Sequence, residues 1–158
     1  MAVRKVISGG QTGVDQAGLA AGVELGLVTG GWAPKGYRTQ DGPAPWLAKF
    51  GVQEHFSAEY PPRTRQNVLE SDGTLWVGNP DSPGGKLTLR TCREANRTKF
   101  ELRFVEPLQE HSVVDFRAWI KRFNIQTLNV AGNRESSSPG IGEYTRNFLL
   151  RGLASDPA

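Results

Sequence analysis

The sequence predicts an α/β fold: a Rossmann-like open, mostly parallel sheet flanked by helices on both faces. Three observations carry this reading. Short β-branched or apolar runs alternate with segments of helical period, the signature of strands joined by crossover helices. Three of those runs lead into glycine- and hydroxyl-rich turns that open helices, at residues 8–15, 79–85 and 132–140. The 158 residues suit one domain, 1–158, with one substantial core, and no linker or internal repeat interrupts them.

In chain order, residues 5–8 read as the first strand and 16–25, rich in Ala and Leu, as the first helix. Residues 27–30 form a short second strand. From 31 to 62 the patterning breaks down, with Pro34, Pro43, Pro45, Pro61 and Pro62 among several glycines. So long an irregular stretch in a compact domain is expected to be a lid or binding segment, interrupted by a short edge strand near 52–56. A helix over 63–70 follows, then an Asp72-Gly73 turn and a strand over 74–77. Residues 78–85 are a loop, 87–94 a helix and 100–105 a strand. Val113, Phe116, Ile120 and Phe123 mark one side of an amphipathic helix over 113–123. Residues 127–131 are the last parallel strand and 141–153 the closing helix.

Composition narrows the class of function. With 37% hydrophobic and 22% charged residues, the chain is neither a disordered tail nor a membrane protein. No apolar run approaches the roughly 20 residues that span a bilayer. The first residues, Met1 to Ile7, meet the glycine loop too early to hold a signal peptide's apolar region, so a cytoplasmic location is expected. Cys92 is the only cysteine, which excludes an internal disulfide and a thiolate metal cluster within one chain. The net charge of +3 suits an anionic partner, but the basic residues are scattered rather than interleaved with aromatics on one face. A small anion uses such charge better than nucleic acid does.

In an open parallel sheet the three turns lie at the carboxyl ends of the strands, where ligands bind. Glycines let backbone amides approach an anion, and helix N-termini add unpaired donors. The first loop, with Gly9, Gly10, Gln11, Thr12, Gly13 and Asp15, overlays the dinucleotide fingerprint with Ser8 in place of the first glycine. The acid expected roughly 20 residues on is missing, since Thr29-Gly30-Gly31-Trp32 stands there, which argues against NAD. The second loop, with Gly84, Gly85, Lys86 and Thr88, fails as a P-loop: Pro80 and Leu87 replace its first glycine and its hydroxyl. It remains a glycine turn at a helix start. The third offers Arg134 and Ser136, an anion fork and a hydroxyl. Trp32 and Lys35 are candidates to stack on a heterocycle and hold an anion, and Arg63 and Arg65 to add charge at the rim. Each also has an ordinary structural or surface reading. His55 and His111 lack metal-ligand spacing, and no catalytic residue or metal ligand is assigned.

Together, Ile7-Ser8-Gly9-Gly10-Gln11-Thr12-Gly13-Val14-Asp15, Gly30-Gly31-Trp32-Ala33-Pro34-Lys35-Gly36, Arg63-Thr64-Arg65-Gln66-Asn67-Val68, Ser71-Asp72-Gly73-Thr74 and Asn129-Val130-Ala131-Gly132-Asn133-Arg134-Glu135-Ser136 make the chain resemble the molybdenum cofactor carrier family. That family is related to the lysine-decarboxylase-like phosphoribohydrolases. The resemblance implies a parallel sheet, a homo-oligomer, and a carrier that binds, protects and delivers the phosphate-bearing pterin molybdenum cofactor, molybdopterin, to molybdoenzymes. The hydrolases' Pro-Gly-Gly-x-Gly-Thr-x-x-Glu falls on residues 83–91, where Leu87 replaces a glycine and Thr91 the glutamate. Losing that carboxylate argues for binding without hydrolysis. A nucleotide-processing enzyme and a sensor of a nucleotide-derived ligand stay open.

Overall fold

The computed structural model describes residues 3–155; the outermost ends of the expected 1–158 domain, residues 1–2 and 156–158, lie outside them. Six strands form the main sheet: β1 (Lys5–Ile7), β2 (Val28–Ala33), β5 (Val52–Glu54), β6 (Gly73–Val77), β7 (Thr98–Leu102) and β8 (Thr127–Gly132). Their spatial order is β5-β2-β1-β8-β6-β7, and every neighbouring pair is parallel. The helices are α1 (Val14–Glu24), α2 (Tyr60–Leu69), α3 (Pro83–Glu94), α4 (Glu110–Arg122) and α5 (Ile141–Gly152). One face of the sheet carries α1, α4 and α5, and the other carries α2 and α3. The Rossmann-like arrangement expected from the alternation is therefore present.

Side-chain alternation divides the two faces. Leu75, Val77, Leu128 and Val130 meet Phe116, Ile141, Phe148 and Leu149 in the main apolar core beneath α4 and α5. The intervening residues Thr74, Trp76 and Asn129 face α2 and α3, and the Asn129 amide donates to the Thr74 hydroxyl at 3.2 Å. A second cluster of Leu19, Ala33, Ala44, Leu47 and Val52 anchors the β5 edge.

The segment expected to be irregular, 31–62, is largely built. β2 runs on to Ala33 because Gly31, Trp32 and Ala33 pair with Val52, Gln53 and Glu54 of the edge strand. Between them lie two 3-10 helices, Lys35–Tyr37 and Pro45–Phe50, and a small antiparallel hairpin of β3 (Arg38–Thr39) and β4 (Gly42–Pro43). Helix starts also move toward the N-terminus. Pro61-Pro62 occupies the first turn of α2 and Pro83 the first turn of α3, where a missing N–H is harmless, so these prolines open helices instead of breaking them. The Ser82 hydroxyl caps α3, accepting from the Gly85 N–H at 3.2 Å. Strand β7 lies two residues earlier than the expected 100–105, in register with β6 from Gly73↔Thr98 onward.

Candidate ligand-binding site

The strand order places the carboxyl ends of β1, β8 and β6 side by side, and the chain leaves β1 and β6 in opposite lateral directions. The resulting crevice is where an open α/β sheet receives ligands. A cleft of about 310 Å³ lies there, between the loops after these strands and the first turns of α2 and α3. That is the lower end of the roughly 300–1,000 Å³ typical of small-molecule pockets.

The loop after β1 folds back on itself. The Ser8 hydroxyl donates to the Asp15 backbone carbonyl at 2.9 Å and accepts from Gly10 N–H at 3.3 Å. This turn delivers the Asp15 carboxylate into the loop's own amides. Gln11 N–H donates to Asp15 Oδ2 at 3.2 Å, and the amides of Gly9 and Gly132 also favour the charged form. The anion nest expected to cradle a ligand is thus occupied by the protein's own carboxylate. Arg63 Nη1 stands 3.7 Å from Asp15 Oδ2, with its side chain 12% exposed.

Burial dominates the Asp15 carboxyl and pushes it up to about 6, against the pull of Arg63 and the three amides. Burial likewise lowers Arg63, with Asp15 opposing. The sign of the linkage follows from a folded value above the ordinary 3.8. The native state binds more protons than the unfolded chain between pH 4 and 6, so Asp15 weakens the fold progressively as pH rises through that window. Above it the full effect is on the order of 3 kcal/mol. The wild type is therefore expected to gain stability relative to Asp15→Asn as pH falls from 7 to 4.5. Denaturant melts across that range check this, and parallel pH profiles for the two proteins would contradict it.

Tyr60 forms the other wall. Three guanidinium groups surround its ring, Arg38 at 4.8 Å, Arg63 at 5.3 Å and Arg134 at 5.4 Å from the centroid. Its hydroxyl lies 3.4 Å from Gln11 Nε2 as acceptor. Opposite, Trp76 lines the cleft near Gly84 at the start of α3, together with Thr88. Two donors of these walls, Arg63 Nε and Trp76 Nε1, are buried with no hydrogen-bond partner among the described residues. Orphaned buried donors are costly and point to an absent acceptor. The loops are tied together by Asn133, whose Oδ1 accepts from Asn79 N–H at 2.7 Å and whose Nδ2 donates to Ser82 Oγ at 3.0 Å.

Among the residues expected from sequence, Gln11, Asp15, Arg63, Gly84, Thr88 and Arg134 line this cleft. Gly9, Gly10, Thr12 and Gly13, in the same loop, are not among the lining residues; Thr12 N–H donates to Gln11 Oε1 at 3.1 Å. Gly85 is buried in the first turn of α3. Ser136 is exposed and not among the lining residues, donating to Gln40 Oε1 at 2.7 Å. Trp32, Lys35 and Arg65 are not among the lining residues. The Trp32 indole N–H is satisfied by Glu70 Oε2 at 2.7 Å, and its ring packs edge-on against His55. Lys35 is exposed in a 3-10 helix. Arg65, two residues after Arg63 on α2, turns by about 200° to solvent. Tyr60, Arg38 and Trp76 escaped the sequence reading. Tyr60 precedes Pro61-Pro62, and a proline pair at a helix start was the available signal. Glu135 caps α5, accepting from Gly140 N–H at 2.6 Å and Gly142 N–H at 3.0 Å, so that helix start is already neutralised.

The chain matches the model of the circularly permutated YpsA SLOG family over residues 6–153. It belongs to that family. A solved family-sized structure, that of a protein from Syntrophus aciditrophicus SB named "Putative molybdenum carrier protein", superposes with a TM-score of 0.89 at 34% identity. The match covers 97% of this chain and 96% of that one. No curated protein matches at a significant level. These similarities agree with the resemblance drawn from the motifs. In this member of the SLOG family, Thr91 is turned into its own helix, donating to Leu87 O at 2.7 Å. Among the described residues, no helix is long and apolar enough to cross a membrane.

Proposed function

We propose that the cleft binds the phosphate-bearing pterin of the molybdenum cofactor as cargo, shields it, and releases it to molybdoenzymes. The observation that carries this reading is the cluster of three guanidiniums around Tyr60, facing a single lining carboxylate, beside two buried unpartnered donors. Arg63 and Arg134 take the phosphate, since a planar guanidinium meets two phosphate oxygens at once. The start of α3 at Gly84 faces the same space and adds its partial positive charge. Tyr60 and Trp76 supply aromatic walls for a bicyclic ring. The amides of Gly9 and Gln11, engaged by Asp15, hold Arg63 in place through that carboxylate instead of meeting the ligand. The name of the solved relative points the same way.

A nucleotide hydrolase has less support, because the lining carboxylate, Asp15, is engaged by amides and Arg63. The test is a fluorescence titration with the oxidised pterin derivative of the cofactor, with and without its phosphate. The phosphorylated form is expected to bind at least about 100-fold tighter, the loss expected when charge-assisted hydrogen bonds go unmade. Equal affinities would refute the phosphate assignment.

A further inference from the structure

The β3–β4 hairpin bridges the rim of the cleft at three points. Gln40 N–H donates to Gln11 Oε1 at 2.8 Å, on the loop after β1. Gln40 Oε1 accepts from Ser136 Oγ at 2.7 Å, on the loop after β8. Arg38 lies over Tyr60 and donates to Ala58 O at 3.0 Å, at the approach to α2. The hairpin is also braced internally: the Thr39 hydroxyl donates to Gly42 O at 2.6 Å and accepts from Asp41 N–H at 3.1 Å. Gly36 (φ 78°), whose missing Cβ position faces open space, precedes it, and Gly42 (φ 99°) opens β4 inside it. A braced unit that follows one permissive glycine and is held at the rim by a few bonds, two of them exposed, is the kind of element that opens locally without global unfolding.

We infer that this hairpin is an exchange strap: it lifts as a unit, breaking the Gln40 contacts with Gln11 and Ser136, to let the ligand in and out. The inference rests on the proposed function for the identity of the ligand, though not for the motion. In the latched state Arg38 completes the cation cluster over the bound phosphate. In the lifted state that charge leaves and the rim opens. Release is then set by the latch.

The test uses the whole protein and two readouts. Gln40→Ala removes the Ser136 half of the latch and leaves the backbone bond to Gln11, and a Gln40→Cys/Ser136→Cys pair bridged by a short bifunctional thiol reagent closes it; Cys92, fully buried, does not compete. The first readout is the rate at which an arginine-directed dicarbonyl modifies Arg63, followed by peptide mass spectrometry without ligand. The second is stopped-flow release of the phosphorylated fluorescent pterin. Gln40→Ala is expected to raise both rates roughly fivefold, as for one lost hydrogen bond, and the bridge to lower both at least about tenfold. Arg63 modification that is equal in the open, wild-type and bridged proteins overturns the strap. If Arg63 modification follows the latch while no pterin binds in any form, the strap stands and the assigned ligand falls.

Discussion

Arg63→Met is expected to abolish binding of the phosphorylated pterin, weakening it by at least about 100-fold. The guanidinium belongs to both halves of the site. It pairs with Asp15 at 3.7 Å, lies over Tyr60, and carries a buried Nε with no partner among the described residues. Methionine keeps the length and apolar stem of the side chain, so the wall against Tyr60 persists while the donor fork is lost. Asp15 then has no counter-charge, and burial drives its carboxyl further up, toward the protonated form. That proton limits the harm to the fold. The melting temperature falls by a few degrees rather than collapsing, as expected for roughly 1–2 kcal/mol in a domain of this size. Arg63→Lys, with charge but no planar fork, falls between the two. Titration and thermal melts on the same samples check the pair of outcomes, and undiminished affinity in the methionine variant would contradict the assignment.

Two glycines in one loop are expected to fail in opposite ways. Gly13 has φ 81°, and a Cβ there would lie 2.6 Å from both Asn133 O and Glu135 N, backbone atoms fixed by the neighbouring loop. Gly13→Ala is therefore expected to cost at least about 3 kcal/mol, from strained backbone plus a clash that cannot relax. Against a typical total of roughly 5–15 kcal/mol, this lowers the melting temperature by about 10 °C or prevents folding. At Gly9 the added Cβ would meet Arg63 Nη1 at 1.8 Å and Cζ at 2.5 Å. That obstacle is the end of a side chain and can swing away. Gly9→Ala is expected to fold yet lose pterin binding, because it evicts Arg63 from the cleft. Calorimetry and titration separate the two, and a Gly9→Ala protein that binds like wild type would show that Arg63 is not the anchor.

What the sequence made legible was set by local rules. Alternating apolar residues located the strands, and three glycine turns located the cleft at their carboxyl ends. What it hid depended on contacts between distant residues. Trp32 and Trp76 look equally eligible in the sequence, yet a partner 38 residues away, Glu70, satisfies the first, while the second keeps an orphaned N–H. Arg38 joins the site through a hairpin whose strands are two residues each, too short for any periodicity. Asp15 turned out to fill its own loop's amides, a geometry fixed by the Ser8 turn and invisible in the spacing of glycines. Pro61-Pro62 reads as a breaker or as a helix opener, and only the docking of α2 against β2 decides.

The cleft is expected to shelter an oxygen-sensitive cofactor. The direct measurement is the half-life of freshly released molybdenum cofactor in air, assayed by its capacity to reactivate a cofactor-free molybdoenzyme, with and without saturating protein. A half-life lengthened several-fold by the wild type, and restored to the free value by Arg63→Met, is the predicted result. A half-life that wild-type protein leaves unchanged would overturn the carrier function.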